Sequence, residues 1–250
     1  MGCSFGSLFH IICFLSKARG HMSAPISIVI PTLNSARSLP ATLLSLMEGL
    51  NAGLICEVIV TDGGSNDATL VIAEAWGAEI ISGATSRGGQ LGRGVAASRG
   101  EWVMVLHADT ILQDSWAGEV QKRMHECPLC FSLAFRASGM AAKLVAAWAN
   151  LRTDLMCLPY GDQGLLLRRK DYDAAGGYLD QPLMEDVALV RALARRVSRI
   201  RAHAFTGAEK YQQQGWMRRG AKNLILLIRY LAGAKPENLA RAYRSLDTPN

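Results

Sequence analysis

Along this chain, short apolar runs bounded by turn residues take turns with stretches whose apolar positions recur every third or fourth residue. Ile26-Ser27-Ile28-Val29-Ile30 is a β-rich run stopped by Pro31, the pattern of a buried strand. Leu39, Leu43, Leu46 and Leu50 then recur at helical spacing behind Ser38, an N-cap type, with Pro40 in the first turn. Further strands are predicted at 57–61, 78–82 and 102–106, separated by helical patterns at 67–76 and 89–99, with another helix opening near Asp114. Strands spaced by helices in this way form βαβ units. Beyond residue 130 the rhythm loosens into a strand at 130–136, a small-residue helix at 139–151 and a strand at 164–167. A Gly176-Gly177 turn comes next, then helices at 187–196 and 216–232. The fold class expected is α/β: a mainly parallel central sheet flanked by helices, with helices at the C-terminal end.

Composition narrows the class. Half of the 250 residues are hydrophobic and 19% are charged, enough to bury a full core and incompatible with a disordered chain. No apolar stretch approaches the ~18 residues that span a bilayer, and no periodic repeat points to a solenoid. The net charge of +6 is unevenly placed: ten of the basic residues lie between Arg199 and Arg244, against only Glu209 and Glu237. A basic segment of this kind meets phosphate or is a solvated helix face. Six scattered cysteines fit a reducing, cytoplasmic compartment, and the isolated Cys127-Pro-Leu-Cys130 beside His125 reads as buried thiols. The apolar run 8–15 is followed, not preceded, by Lys17 and Arg19, so it reads as neither a signal peptide nor an anchor. The expected organisation is an N-terminal extension (1–21), a catalytic domain (22–215) and a basic helical segment (216–250).

In open α/β sheets, ligands bind where strands end and helices begin. Those loops carry the chemistry here. Strand one leads into Pro31-Thr32-Leu33-Asn34, and strand two into Asp62-Gly-Gly-Ser-Asn-Asp67, a carboxylate among glycines that also fits a plain turn. Between strands three and four, Arg87-Gly-Gly-Gln-Leu-Gly-Arg93-Gly places two cations on what reads as a flexible loop suited to anionic phosphates. Strand four ends in His107-Ala108-Asp109, and a carboxylate behind five hydrophobic residues is costly unless it is paired, exposed or holding a cation.

Residues 27–34, 57–69 and the His107-Ala108-Asp109 triplet, in this order and spacing, resemble a family-2 glycosyltransferase of GT-A type fold. The resemblance implies that Pro31, Thr32, Asn34 and Asp62 hold the donor's base and ribose, with Arg87, Gln90, Arg93 and Ala108 along the same nucleotide-sugar site. It implies that Asp109, matching the last position of an Asp-x-Asp motif, binds Mn²⁺ or Mg²⁺ with the diphosphate. His107 departs from that motif, which costs one hard oxygen ligand and favours Mn²⁺. A structural histidine is the other reading. Glu185-Asp186 resembles the family's acidic pair opening a helix. A carboxylate there suits a general base, with Asp186 preferred over Glu185, although first-turn acids also cap helices. Asp162 and Gln163 of Tyr160-Gly-Asp-Gln-Gly164 border the acceptor side or form a polar turn. Gln212-Gln-Gln-Gly215-Trp216 is similar to the Gln-x-x-Arg-Trp of processive members but carries Gly215 in place of arginine.

The function expected is an inverting transfer of a sugar from a nucleoside-diphosphate sugar to an acceptor hydroxyl. The alternatives are a nucleotidyltransferase on a similar scaffold and a non-catalytic membrane-binding protein; nucleic acid is not an expected partner. In the 216–232 helix, Trp216, Leu224, Leu227, Ile228 and Leu231 fall near one side, and Arg218, Arg219, Lys222 and Arg229 lie along it. That pattern fits either packing on the catalytic domain or an interfacial helix on the inner face of a membrane, which would favour a lipid-linked acceptor.

Overall fold

A computed structural model describes residues 24–245; the expectations for 1–21 and for the last five residues lie outside them. In chain order the strands are β1 (Ile26–Thr32), β2 (Ile55–Asp62), β3 (Glu79–Ser82), β4 (Trp102–Val105), β5 (Ile111–Leu112), β6 (Leu129–Phe135), β7 (Leu165–Arg168) and β8 (Ser198–Thr206). The helices are α1 (Leu39–Ser45), α2 (Met47–Asn51), α3 (Thr69–Ala75), α4 (Arg87–Ala97), α5 (Trp116–Arg123) and α6 (Met140–Met156). They continue with α7 (Arg169–Ala174), α8 (Glu185–Ala192), α9 (Glu209–Gln214), α10 (Trp216–Leu231) and α11 (Pro236–Ser245).

One eight-stranded sheet runs in the order β3-β2-β1-β4-β7-β6-β8-β5. Its first half is the parallel βαβ arrangement the periodicity predicts: β1 pairs in parallel with β2 and β4, and β2 with β3. The second half is mixed. β7 runs antiparallel to β4 and β6, β5 antiparallel to β8, and β6 parallel to β8. The period-2 alternation of β1 and β4 separates the two faces. Ile26, Ile28, Ile30, Trp102 and Met104 join one core with α1 and with Trp116 of α5. Val29, Val103 and Val105 join the other with α4, α8 and α10. Each fully buried side chain of this size is worth about 1.5–3 kcal/mol.

Three of the differences from the sequence expectation bear on the strand ends. β8 is not among the predicted strands: its Arg199, Arg201 and His203 read as part of a basic segment, yet Ile200, Ala202 and Ala204 alternate with them and are buried. β5 pairs onto β8 inside a stretch expected to be loop. The stretch expected to be a flexible arginine–glycine loop is instead the first part of α4, capped by Ser86, which accepts from the Gly89 N–H. Its glycines serve packing rather than flexibility. A Cβ at Gly88 would stand 1.8 Å from the Leu179 carbonyl oxygen, and one at Gly94 would stand 2.4 Å from Val29.

Candidate functional site

The loops leaving β1 and β2 are tied to each other by their own polar groups. Asp62 is buried and accepts from the Thr32 hydroxyl (2.9 Å), the Ser65 hydroxyl (2.5 Å) and the Gly64 and Ser65 N–H groups (2.8 and 2.7 Å). Burial pushes its carboxyl up, but those bonds outweigh it and hold the group below the ordinary aspartate range. Asn34, in the left-handed region at φ 51°, donates its N–H to the Ser65 hydroxyl and accepts from the Asn66 N–H at 2.9 Å. Pro31 and Thr32 end β1 directly beside this turn. These four expected donor residues therefore lie together at the carboxyl ends of adjacent strands.

The α4 residues divide. Gln90 is buried and donates to the carbonyls of Thr32 and Thr61, both at 2.9 Å, so it braces the sheet. Arg93 donates to the Ala84 carbonyl and packs over Gly83 at the β3 edge. Neither lines the main cleft. Arg87 does. Desolvation there works against its charge, but Glu185, Tyr243 and Asp186 outweigh it and keep the guanidinium more firmly protonated than usual.

That cleft, of about 310 Å³, lies beyond the end of β4. His107 and Asp109 enter it from one wall, while the buried Ala108 between them accepts from the Thr42 hydroxyl through its carbonyl. Facing Asp109 is the Thr206-Gly207 exit of β8. A Cβ at Gly207 would stand 2.4 Å from a Glu209 carboxylate oxygen, 3.2 Å from Asp109 Oδ2 and 3.5 Å from an Arg136 guanidinium nitrogen, so the missing side chain lets these three groups draw together. Facing His107 is the 160–164 loop: a Cβ at Gly161 would stand 2.5 Å from His107 Nε2. Asp162 Oδ1 has no hydrogen-bond partner. Burial pushes the Asp162 carboxyl above its usual range, against the pull of His107 and Arg152. Among the described residues no three His, Cys, Asp or Glu side chains close round one point. Carboxylate and imidazole donors thus suit a divalent cation of the Mn²⁺ type, provided that ligand oxygens complete its shell.

Asp162 and Gln163, neighbours in sequence, point to different surroundings. Gln163 is fully buried and does not line the cleft. Its amide donates to the Phe131 carbonyl and accepts from Arg152, Thr153 and the Tyr160 N–H. It holds the loop in place, and the Gly161 N–H in turn donates to Asp186 Oδ2 at 2.8 Å.

The acidic pair opens α8, two residues earlier than the predicted helix start, because Met184 adopts a left-handed conformation at φ 63°. That turn delivers both carboxylates to the cleft. Asp186 is half-buried and also accepts from its neighbour's Val187 N–H. Glu185 is buried, with Oε2 unpartnered. Burial and the nearby Asp186 push its carboxyl up to about 7, against the pull of Arg87.

The sequence reading does not anticipate the wall supplied by the C-terminal helices. Tyr211 of α9, Arg219 and Asn223 of α10 and Tyr243 of α11 all line the cleft, and Arg219 donates to Gln214 and to the Tyr243 hydroxyl. The alternation of β8, once recognised, marks Gly207 and Glu209 as residues of a strand-end site. Nothing in the sequence marks Tyr243. Gly215 between α9 and α10 has φ 84° and ψ 132°, a conformation essentially confined to glycine, which accounts for the missing arginine of the Gln-x-x-Arg-Trp pattern.

Cys127, Cys130 and Cys157 are free thiols, and the Cys56 thiol donates to the Ile26 carbonyl. Burial raises the Cys130 thiol strongly, as expected of a reduced core cysteine. No described helix is long and apolar enough to cross a membrane.

The chain is similar to known proteins in sequence and in fold. A PGL/p-HBAD biosynthesis glycosyltransferase of Mycobacterium tuberculosis is 38% identical over 102 residues, which is 38% of this chain and 39% of that protein. A glucosyl-3-phosphoglycerate synthase of Mycolicibacterium paratuberculosis is 35% identical over 95 residues, 34% of this chain and 29% of that protein. These matches therefore span well under half of either relative. Among solved structures, glucosyl-3-phosphoglycerate synthase from Mycobacterium tuberculosis, in complex with Mn²⁺, UDP and phosphoglyceric acid, superposes with TM-score 0.58 at 22% identity, covering 94% of this chain and 84% of that one. Mannosyl-3-phosphoglycerate synthase from Rubrobacter xylanophilus superposes with TM-score 0.55 at 17% identity, covering 92% and 81%. At such identities the likeness is one of fold, the GT-A type. The sequence pattern of Glycosyl transferase family 2 matches residues 27–154, from the first residues of β1 through most of α6. With the strand-end motifs of β1, β2 and β4 all inside that span, the chain belongs to glycosyl transferase family 2.

Proposed function

We propose that this protein is an inverting, hexosyltransferase-type glycosyltransferase that moves a sugar from a nucleoside-diphosphate sugar to an acceptor hydroxyl. The observation that carries this reading is the arrangement of one cleft. His107 and Asp109 line one wall, the 160–164 loop with Asp162 faces them, and the Glu185–Asp186 pair reaches the cleft from the N-terminus of α8. The preformed turns of 31–34 and 62–67 supply a rigid seat for base and ribose, with Ala108 beside them. Arg87 contributes a fixed positive charge where the departing diphosphate gathers negative charge. Gln90 and Arg93 act on the donor side indirectly, Gln90 by bracing the ends of β1 and β2 and Arg93 by holding Ala84 in the turn before α4.

Asp109, with His107 two residues before it on the same wall, would hold the Mn²⁺ or Mg²⁺ together with oxygens of the donor, and the bound cation would neutralise diphosphate charge. The acceptor oxygen attacks the anomeric carbon from the face opposite the leaving group. As that C–O bond forms, the bond to the diphosphate oxygen breaks, the diphosphate leaves with the electron pair, and the configuration inverts. Asp186 takes the acceptor's proton, its orientation set by the Gly161 N–H. Glu185, next to it in the cleft and with its carboxyl raised to about 7, carries only part of its negative charge at neutral pH and so reduces the repulsion on the base. The acceptor side is the wall of Asp162, Tyr211 and Asn223, positioned through Gln163.

Titration with UDP, GDP and dTDP, with and without Mn²⁺, followed by product analysis with the matching nucleotide sugars, tests the reading. Metal-dependent nucleotide binding and a product of inverted anomeric configuration are expected. Absence of nucleoside-diphosphate binding with Mn²⁺ present would overturn it.

A further inference from the structure

Most of the exposed large apolar side chains lie on two neighbouring helices. On α6, Met140, Leu144, Trp148, Leu151 and Leu155 recur at spacings of three and four residues, so they form one stripe, while Ala142, Ala146 and Ala149 pack inward. On α10, Met217, Ile225 and Ile228 are each more than half exposed, while Leu226 and Leu227 are buried. The exposed stripe keeps Leu224, Ile228 and Leu231 of the side the sequence suggests, but Leu227 faces the core and Trp216 packs against Phe135 and Tyr211. Where the stripes meet, Leu144, Trp148, Met217, Ala221 and Leu224 line an apolar groove of about 260 Å³.

A second, smaller cavity lies between the groove and the cleft. Of about 30 Å³, it shares Val145, Trp148, Gly220 and Leu224 with the groove, and shares Tyr160, Asp162, Tyr211 and Asn223 with the catalytic cleft. Charge identifies the occupant. Lys143, Arg218 and Arg229 are exposed along these two helices. α10 contains no acid, and the one acid of α6, Asp154, is paired with Arg199. A second copy docked isologously would bring these cations against themselves. An anionic bilayer offers apolar chains to the groove and phosphates to its rim, with Trp148 suited to the interface.

We infer that the α6–α10 face seats on an anionic membrane and that the groove admits the apolar chain of a membrane-held amphiphilic acceptor, its hydroxyl end reaching the cleft beside Asp162. The acceptor half of this inference rests on the glycosyl-transfer reading above.

The test uses the full chain and no sugar donor, so its failure is distinct from failure of nucleotide binding. Co-sedimentation is measured with vesicles of phosphatidylglycerol and phosphatidylcholine in equal parts, and with phosphatidylcholine alone, at low and high salt. Binding to the anionic vesicles at low salt, release at high salt, and quenching of Trp148 by brominated acyl chains (absent in Trp148→Phe) are expected. The triple variant Lys143→Gln, Arg218→Gln, Arg229→Gln should weaken partitioning about 100-fold with an unchanged melting temperature. Gly220→Leu fills the inner passage from a position where an added Cβ meets only Val145 at 3.8 Å. It should keep vesicle binding and Mn²⁺-dependent UDP binding, yet lose at least about tenfold in affinity for dodecyl phosphate, a single-chain probe. Equal binding to both vesicle types, no binding at low salt, or dimerisation through this face in sedimentation would overturn the membrane contact. Undiminished dodecyl phosphate binding in Gly220→Leu would overturn the groove.

Discussion

At the carboxyl ends of β1 and β2, Thr32, Asn34, Asp62, Ser65 and Gln90 satisfy one another or nearby backbone, leaving the Thr61 hydroxyl, an uncharged group, without a partner. In the cleft beyond β4, by contrast, Tyr160 Oη, Asp162 Oδ1 and Glu185 Oε2 have no partner. Buried polar groups without partners cost free energy, so a fold keeps them where something else gains from them. The first region is rigid and presents backbone and a fixed shape, which suits recognition of a base and ribose. The second keeps carboxylates under tension, with the Asp162 and Glu185 carboxyls both raised, which suits proton transfer and cation binding. Substitutions in the two regions should therefore fail differently: the first in stability and donor affinity, the second in turnover.

The sharpest break in that contrast comes at Asp109. Asp109→Ala removes a cleft carboxylate and no core contact, so transfer should be abolished while the thermal unfolding midpoint stays within a degree or two. Retained turnover would remove this residue from the cation site. Next, Asp186→Asn should lower kcat by about 10²–10⁴-fold with donor affinity intact, read by steady-state kinetics beside nucleotide titration. If Glu185→Gln shows that loss and Asp186→Asn does not, the base is Glu185.

A smaller effect of the opposite kind is expected at Gln90. Gln90→Leu leaves the Thr32 and Thr61 carbonyls without their side-chain donor and should destabilise the fold by about 1–3 kcal/mol in denaturant unfolding. The folded variant should bind donor more weakly while keeping kcat within about threefold.

The smallest effect concerns pH. The Glu185 carboxyl rises from 4.5 to about 7 on folding, so the native state binds the extra proton within that window. Stability then falls as pH climbs from about 4.5 to 7, where the native state must bury a charge. Glu185→Gln should flatten that fall, so its melting temperature gains on the parent at pH 8 relative to pH 5. A parallel pH profile for both proteins would show that the buried carboxyl does not titrate in this range.

Periodicity and strand-end motifs are enough to locate β1 to β4, the turns at 31–34 and 62–67, the His107-Ala108-Asp109 exit and the acidic pair of α8. All of these are set by local chemistry: a buried strand needs an apolar run, and a ligand at its end needs polar or glycine residues directly after it. The tertiary structure decided the rest, because it depends on who packs against whom. Gly88 and Gly94 look like flexibility in sequence and are contact points in the fold. Gln90 and Gln163 look like ligand-facing amides and are internal braces, since only the surrounding carbonyls determine where an amide is spent. Arg219 and Tyr243, some 24 residues apart, meet at the cleft because α10 and α11 fold back over the sheet. The stripe of α10 that reaches solvent was set by what α6 and the core left uncovered, a choice that helical spacing alone does not make.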